Sequence, residues 1–85
     1  MARVTMYTTT VCPFCMQAKR LLHEHGIPYD EINVEDDAGL RDEMITRAAG
    51  RRTVPQIFFG DDAIGGYDEL RLLEDRGELG AILAD

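Results

Sequence analysis

The spacing of apolar residues changes period several times along this chain, and each change marks an element. Val4 to Thr8 is a short run of β-branched, aromatic and apolar residues, which reads as a buried strand. From Pro13 to His25 the period lengthens: Cys15, Ala18, Leu22 and His25 recur at alternating three- and four-residue steps, a helical stripe that Gly26 and Pro28 then stop. Tyr29 to Val34 predicts a second strand, polar enough to lie nearer a sheet edge. Asp36 and Asp37 offer caps for a second helix running to about Ala49, with Leu40, Met44 and Ala48 along one side and Gly50 at its end. Gln56 to Phe59 and Ala63 to Gly65 flank Gly60-Asp61-Asp62, the signal of a short hairpin. A third helix is expected from Tyr67 to Arg76, stopped by Gly77, and a last short one carries Leu79, Ile82 and Leu83.

The order β-α-β-α-β-β-α predicts an α/β fold, a mixed four-stranded sheet with helices on both faces. Ligands of open α/β sheets gather beyond the carboxyl ends of the parallel strands. The segment that follows Thr8 lies at such an end. With 85 residues the chain is expected to form one domain spanning residues 1–85, near the lower limit for a core without staples.

Composition narrows the functional classes. Two cysteines cannot build the multi-bridge framework of a small secreted scaffold. No segment resembles a signal peptide, and no apolar run approaches the ~20 residues that span a bilayer, so the expected location is cytoplasmic. A net charge of −7 argues against nucleic acid and acidic membrane surfaces as partners. Bases cluster at Lys19-Arg20 and at Arg47, Arg51 and Arg52. They read either as solvated faces or as a local positive rim suited to a small anion.

The chemistry concentrates at Cys12-Pro13-Phe14-Cys15. If a helix begins at Pro13, Cys12 is its cap and Cys15 lies on the same face, one sulfur toward solvent and the other beneath it. Unpaired N–H groups and the positive end of the helix dipole stabilise a thiolate there, lowering its pKa below the usual ~8.5. Two thiols so placed read as a redox pair. A zinc half-site needs two further ligands. His23 and His25 are the candidates, but side chains two apart on a helix point about 200° from one another and cannot converge on one metal. Phe14 is expected to be an exposed apolar lip beside the sulfur.

Two further motifs admit a structural and a functional reading. Thr53-Val54-Pro55 is either a turn into a strand or a cis-proline motif. Gly65-Gly66-Tyr67-Asp68 precedes a helix, where Asp68 is expected as the N-cap and the free N–H groups can hold an anion.

Taken in order and spacing, Tyr7-Thr8, Cys12-Pro13-Phe14-Cys15, Thr53-Val54-Pro55-Gln56-Ile57-Phe58 and Gly65-Gly66-Tyr67-Asp68-Glu69-Leu70 resemble the glutaredoxins, specifically the short bacterial dithiol ones, over essentially the whole chain. The resemblance implies a thioredoxin-like fold and a glutathione-dependent thiol–disulfide oxidoreductase, an electron donor in cell redox homeostasis. It implies Cys12 as nucleophile, Cys15 as resolving thiol, a redox-active Cys12–Cys15 disulfide and a cis Pro55. Val54 would pair its backbone with the cysteinyl part of glutathione. Tyr67 and Asp68 N–H groups would take the γ-glutamyl carboxylate and the Asp68 side chain the ammonium, with Gly66 allowing close approach. Thr53 belongs to the same stretch. Many dithiol glutaredoxins carry a lysine three residues before the first cysteine, where Thr9 stands here; Arg51 or Arg52 is the expected replacement for the glycine carboxylate. Phe14 replaces a commoner tyrosine, and Tyr67 a frequent cysteine.

The resemblance further implies no bound cofactor or metal, glutathione as co-substrate, disulfide or glutathionylated client proteins (ribonucleotide reductase is typical), a monomer, and a potential of about −200 to −230 mV. Two alternatives stand beside it: a redoxin driven by thioredoxin reductase or another small thiol, and a carrier of a glutathione-ligated [2Fe–2S] cluster. Pro13 and the second cysteine argue against the cluster.

Overall fold

The computed structural model describes residues 3–80. Its elements run β1 (Val4–Thr8), α1 (Pro13–Glu24), β2 (Asp30–Asn33), α2 (Ala38–Arg47), β3 (Gln56–Phe59), β4 (Asp62–Gly65) and α3 (Tyr67–Asp75). The four strands form one mixed sheet in the order β2-β1-β3-β4. β1 and β2 are parallel, and β1–β3 and β3–β4 are antiparallel.

Period-two alternation assigns the two faces. Val4 and Met6 of β1 and Ile57 and Phe59 of β3 join Ala18, Leu21 and Leu22 of α1, Leu70 of α3 and Leu79 in one core cluster. Tyr7 and Phe58 point the other way and pack with Val34, Met44 and Ala48 under α2. Helices thus cover both faces, α1 and α3 one of them and α2 the other. Tyr7 and Phe58 meet edge to face with ring centroids 5.6 Å apart. The buried Tyr7 hydroxyl donates to Glu43 Oε2 and accepts from Arg47 Nη1, both at 2.8 Å.

Two boundaries and one cap differ from the sequence expectation. β2 is four residues long rather than six, because its flanks turn inward: Val34 is fully buried beyond the strand end, and Tyr29 packs on the first core cluster before it. The β3–β4 loop is Gly60-Asp61, since Asp62 already pairs with Phe59, and Gly60 takes the left-handed φ of +60°. α3 begins at Tyr67 as expected, but its cap is Gly66 and not Asp68. Of the last short helix, Leu79 is buried, while Ile82 and Leu83 lie outside the described residues.

This topology brings three segments to one end of the sheet. β1 runs out at Thr8 into the loop that carries Cys12. β3 runs antiparallel, with Gln56 opposite Tyr7, so the turn before it lies beside the end of β1. β4 returns to the same end at Gly65, opposite Ile57, and leads straight into α3.

Candidate active site

Cys12 is the N-cap of α1, with extended backbone, and its sulfur accepts the Cys15 N–H at 3.1 Å. Pro13 follows at the first helical position, where it has no N–H to leave unpaired. Cys12 and Cys15 are joined in a disulfide with Cα atoms 5.1 Å apart. Cys12 is the more accessible of the two, but both are buried, at 6% and 1% exposure. The expected solvent-facing residue is therefore largely covered in this disulfide-bonded form.

The loop ahead of Cys12 is braced from β2 and the segment after it. Thr10 N–H donates to Glu35 Oε1 at 3.1 Å, and Asn33 Nδ2 donates to Thr10 Oγ1 at 3.2 Å. Below it the buried Thr8 hydroxyl donates to Glu31 Oε2 at 2.7 Å, and Lys19 of α1 sits 2.6 Å from the same oxygen. Burial raises the Glu31 pKa, but the Lys19 and Thr8 hydrogen bonds outweigh it and hold the carboxyl below its ordinary value.

Across from Cys12, the Val54–Pro55 peptide bond is cis, and the Val54 carbonyl oxygen lies 3.7 Å from Cys12 Sγ. The turn is pinned by Gln56, buried to 1% exposure, whose Nε2 donates to Thr53 O at 2.9 Å and Thr53 Oγ1 at 3.1 Å. A buried amide at the first position of a strand needs such partners, and nearby backbone is the cheapest supply.

One open pocket of about 220 Å³ connects these parts, lined by Phe14, Arg51, Thr53, Val54, Pro55, Gly66, Tyr67, Asp68 and Glu69. Phe14 is 56% exposed and stacks on Tyr67, ring centroids 6.3 Å apart. Eight sequence-designated residues thus meet in one cleft. Arg51 lines the pocket and is turned toward Glu69, whereas Arg52 is exposed and is not in the lining. Thr9 is not in the lining either. Nor do the bases form a continuous rim, because Lys19 is paired with Glu31 and Arg47 packs its guanidinium 4.2 Å over the Phe58 ring on the α2 face. His25 pairs with Glu74 Oε2 at 2.9 Å, tying α1 to α3.

The residue that sequence reasoning missed is Glu69. Its Oε1 accepts the Gly66 N–H at 2.7 Å and Arg51 Nη2 at 3.1 Å. The Gly66 bond, more than the Arg51 pair, pulls its pKa below the ordinary value against the opposing effect of burial. The signal was available: a glutamate three residues after the cap is the second half of a capping box. Asp68 drew attention instead because aspartate is the stronger cap former.

The family model for glutaredoxin matches residues 4–64. A probable glutaredoxin of Synechocystis sp. is 48% identical over 98% of this chain and 76% of its own length. Glutaredoxin 3 of Escherichia coli K12 is 46% identical over 98% of this chain and 99% of its own. Among solved structures, that of a buckwheat glutaredoxin–glutathione complex superimposes with a TM-score of 0.87 at 26% identity, over 98% of this chain and 77% of that one. A family model matched over residues 4–64 and relatives at 46–48% identity over 98% of the chain leave one conclusion: the chain belongs to the glutaredoxin family of thiol–disulfide oxidoreductases.

Proposed function

We propose that this protein reduces glutathione mixed disulfides and protein disulfides with glutathione as electron donor, Cys12 being the nucleophile and Cys15 the resolving thiol. The observation that carries the reading is the juxtaposition of the Cys12 sulfur with the pocket lined by Phe14, Arg51, Thr53–Pro55 and Gly66–Asp68. The buckwheat relative crystallised with glutathione supports the choice of ligand. In the disulfide form Cys12 Sγ already accepts the Cys15 N–H at the start of α1, and once the bond is reduced the same N–H and the helix dipole favour a thiolate on Cys12.

The thiolate attacks the glutathione sulfur of a mixed disulfide. The client leaves as its thiolate and takes up a proton, and Cys12 retains glutathione. A second glutathione thiolate attacks that glutathione sulfur, so oxidised glutathione departs and the Cys12 thiolate returns. With a protein disulfide, Cys12 first forms a mixed disulfide with the client. Cys15 then attacks Cys12 and expels the client's second thiolate, leaving the Cys12–Cys15 disulfide for two glutathione molecules to reduce. Val54 offers its backbone to the cysteinyl part of glutathione, the Tyr67 and Asp68 N–H groups hold the γ-glutamyl carboxylate, and Arg51 holds the glycine carboxylate. Such turnover requires a reducing glutathione pool, which fits a cytoplasmic location and clients with exposed disulfides.

The test is reduction of a glutathionylated peptide, coupled to NADPH through glutathione reductase. Turnover is expected for wild type and Cys15→Ser and lost in Cys12→Ser. A wild type silent with glutathione but active with thioredoxin reductase refutes the donor assignment.

A further inference from the structure

Arg51 and Glu69 close one side of the pocket, and the backbone beneath them is shaped for it. Gly65 sits at φ +118°, and a Cβ there would collide with the Glu69 carboxylate and come within 2.8 Å of Arg51 Nη1. The pair therefore rests directly on a glycine. Both side chains line the pocket, and the Gly66 N–H that Glu69 occupies opens the same helix whose next two N–H groups face a ligand carboxylate in the reading above. The chain thus places its own carboxylate on the arginine that an incoming carboxylate needs.

We propose that Glu69 tunes the affinity of this pocket by competing with the ligand's glycine carboxylate for Arg51, the guanidinium exchanging one for the other as glutathione binds. The inference rests on the glutathione reading given above. Both partners are close to half exposed, 49% and 42%, so the contact is weak enough to be exchanged at each turnover. Arginine carries five N–H donors in a planar fork, and Glu69 engages Nη2 of that fork. A thiol compound without the glycine carboxylate has nothing to put in place of Glu69 and leaves the pair closed. Glu69 thereby weakens binding of the carboxylate-bearing ligand, which eases its release.

Glu69→Gln separates the two things Glu69 does. The amide oxygen still accepts the Gly66 N–H, while the charge that holds Arg51 is gone. The experiment compares two forms of one peptide, joined through a disulfide to glutathione or to γ-glutamylcysteine, which lacks the glycine. Wild type, Glu69→Gln, Arg51→Gln and the double variant are assayed on both. The expected result is a KM for the glutathionylated peptide about threefold lower in Glu69→Gln with kcat unchanged, the scale of an exposed ion pair. The γ-glutamylcysteinyl peptide should show no change, and the gain should vanish in the double variant and in roughly 0.5 M salt. An unchanged or raised KM in Glu69→Gln overturns the competition while wild-type turnover leaves the glutathione reading standing. An equal gain on both peptides overturns it too, since it would reflect a general relief of negative charge. No wild-type turnover on either peptide overturns both.

Discussion

α1 begins at Cys12 and has no acidic side chain in its first turn; α3 begins at Gly66, which has no side chain to offer, and has Asp68 and Glu69 there. Both helix starts border the same cleft, and both present backbone N–H groups with the positive end of a dipole behind them. At α1 the side-chain acceptor is the sulfur itself, so charge that settles there settles on Cys12. At α3 the charge is already present as the Glu69 carboxylate, partly neutralised by Arg51. On the proposed function, one end is reserved for a charge that appears and disappears with redox state, and the other is filled by a charge that the ligand exchanges. The difference lies in the residue types of two short turns, not in the fold.

The most drastic way to break the α3 arrangement is Gly65→Ala. It adds a Cβ against the Glu69–Arg51 pair at a positive φ, and is expected to destabilise the protein by about 1–3 kcal/mol in urea unfolding. Gly26→Ala is the control: its φ is +66°, but nothing lies within 4 Å of the added carbon, so it should cost about 1 kcal/mol. Equal losses at the two sites would mean that the packing of the pair on Gly65 contributes nothing.

Making α1 resemble α3 gives the next largest effect. Phe14→Asp places a fixed negative charge in the first turn of α1, at a side chain exposed enough that folding is spared. Alkylation of Cys12 in the reduced protein should shift to higher pH by about half a unit to one unit relative to Phe14→Asn, which removes the same ring without adding charge. Identical profiles for the two variants would contradict the idea that this helix end keeps its charge for sulfur.

How much of this was legible in the sequence differs between the two ends. Cys12-Pro13-Phe14-Cys15 announced cap, first helical position and sulfur pair together, because proline and the cysteine spacing act within a single turn. The element order followed from apolar periodicity, and the sheet with helices on both faces followed from that order. The α3 end was read less well. The start at Tyr67 was legible but its cap was not: Asp68 has the side chain of one, while Gly66 takes the position and Glu69 supplies the acceptor from within the helix. Gln56 was legible as a strand residue but not as the clamp on Thr53, a contact that depends on the turn being closed first. That Arg51 and not Arg52 lines the pocket had no local signal, since the Glu69 that Arg51 pairs with lies far along the chain.

The smallest effect concerns pH. Glu69 has its carboxyl held below the ordinary value of 4.5, first by the Gly66 N–H and then by Arg51. A group with a lowered folded pKa contributes stability that is fully present above its unfolded pKa and is lost as pH falls through the folded one. Wild type should therefore exceed Glu69→Gln by about 0.5 kcal/mol at neutral pH, a low figure because both partners of the pair are well exposed to solvent. The gap should hold steady down to about pH 5 and close below 4.5, as Glu69 takes up its proton in the folded state. Glu31 and Asp30 also have lowered values and also weaken the fold in acid, but they are present in both proteins and cancel in the difference. Urea unfolding of both proteins at about pH 7 and about pH 3.5 isolates the Glu69 charge. A gap that persists at the lower pH would assign the effect to side-chain shape, and would remove the electrostatic ground on which the two helix ends are distinguished.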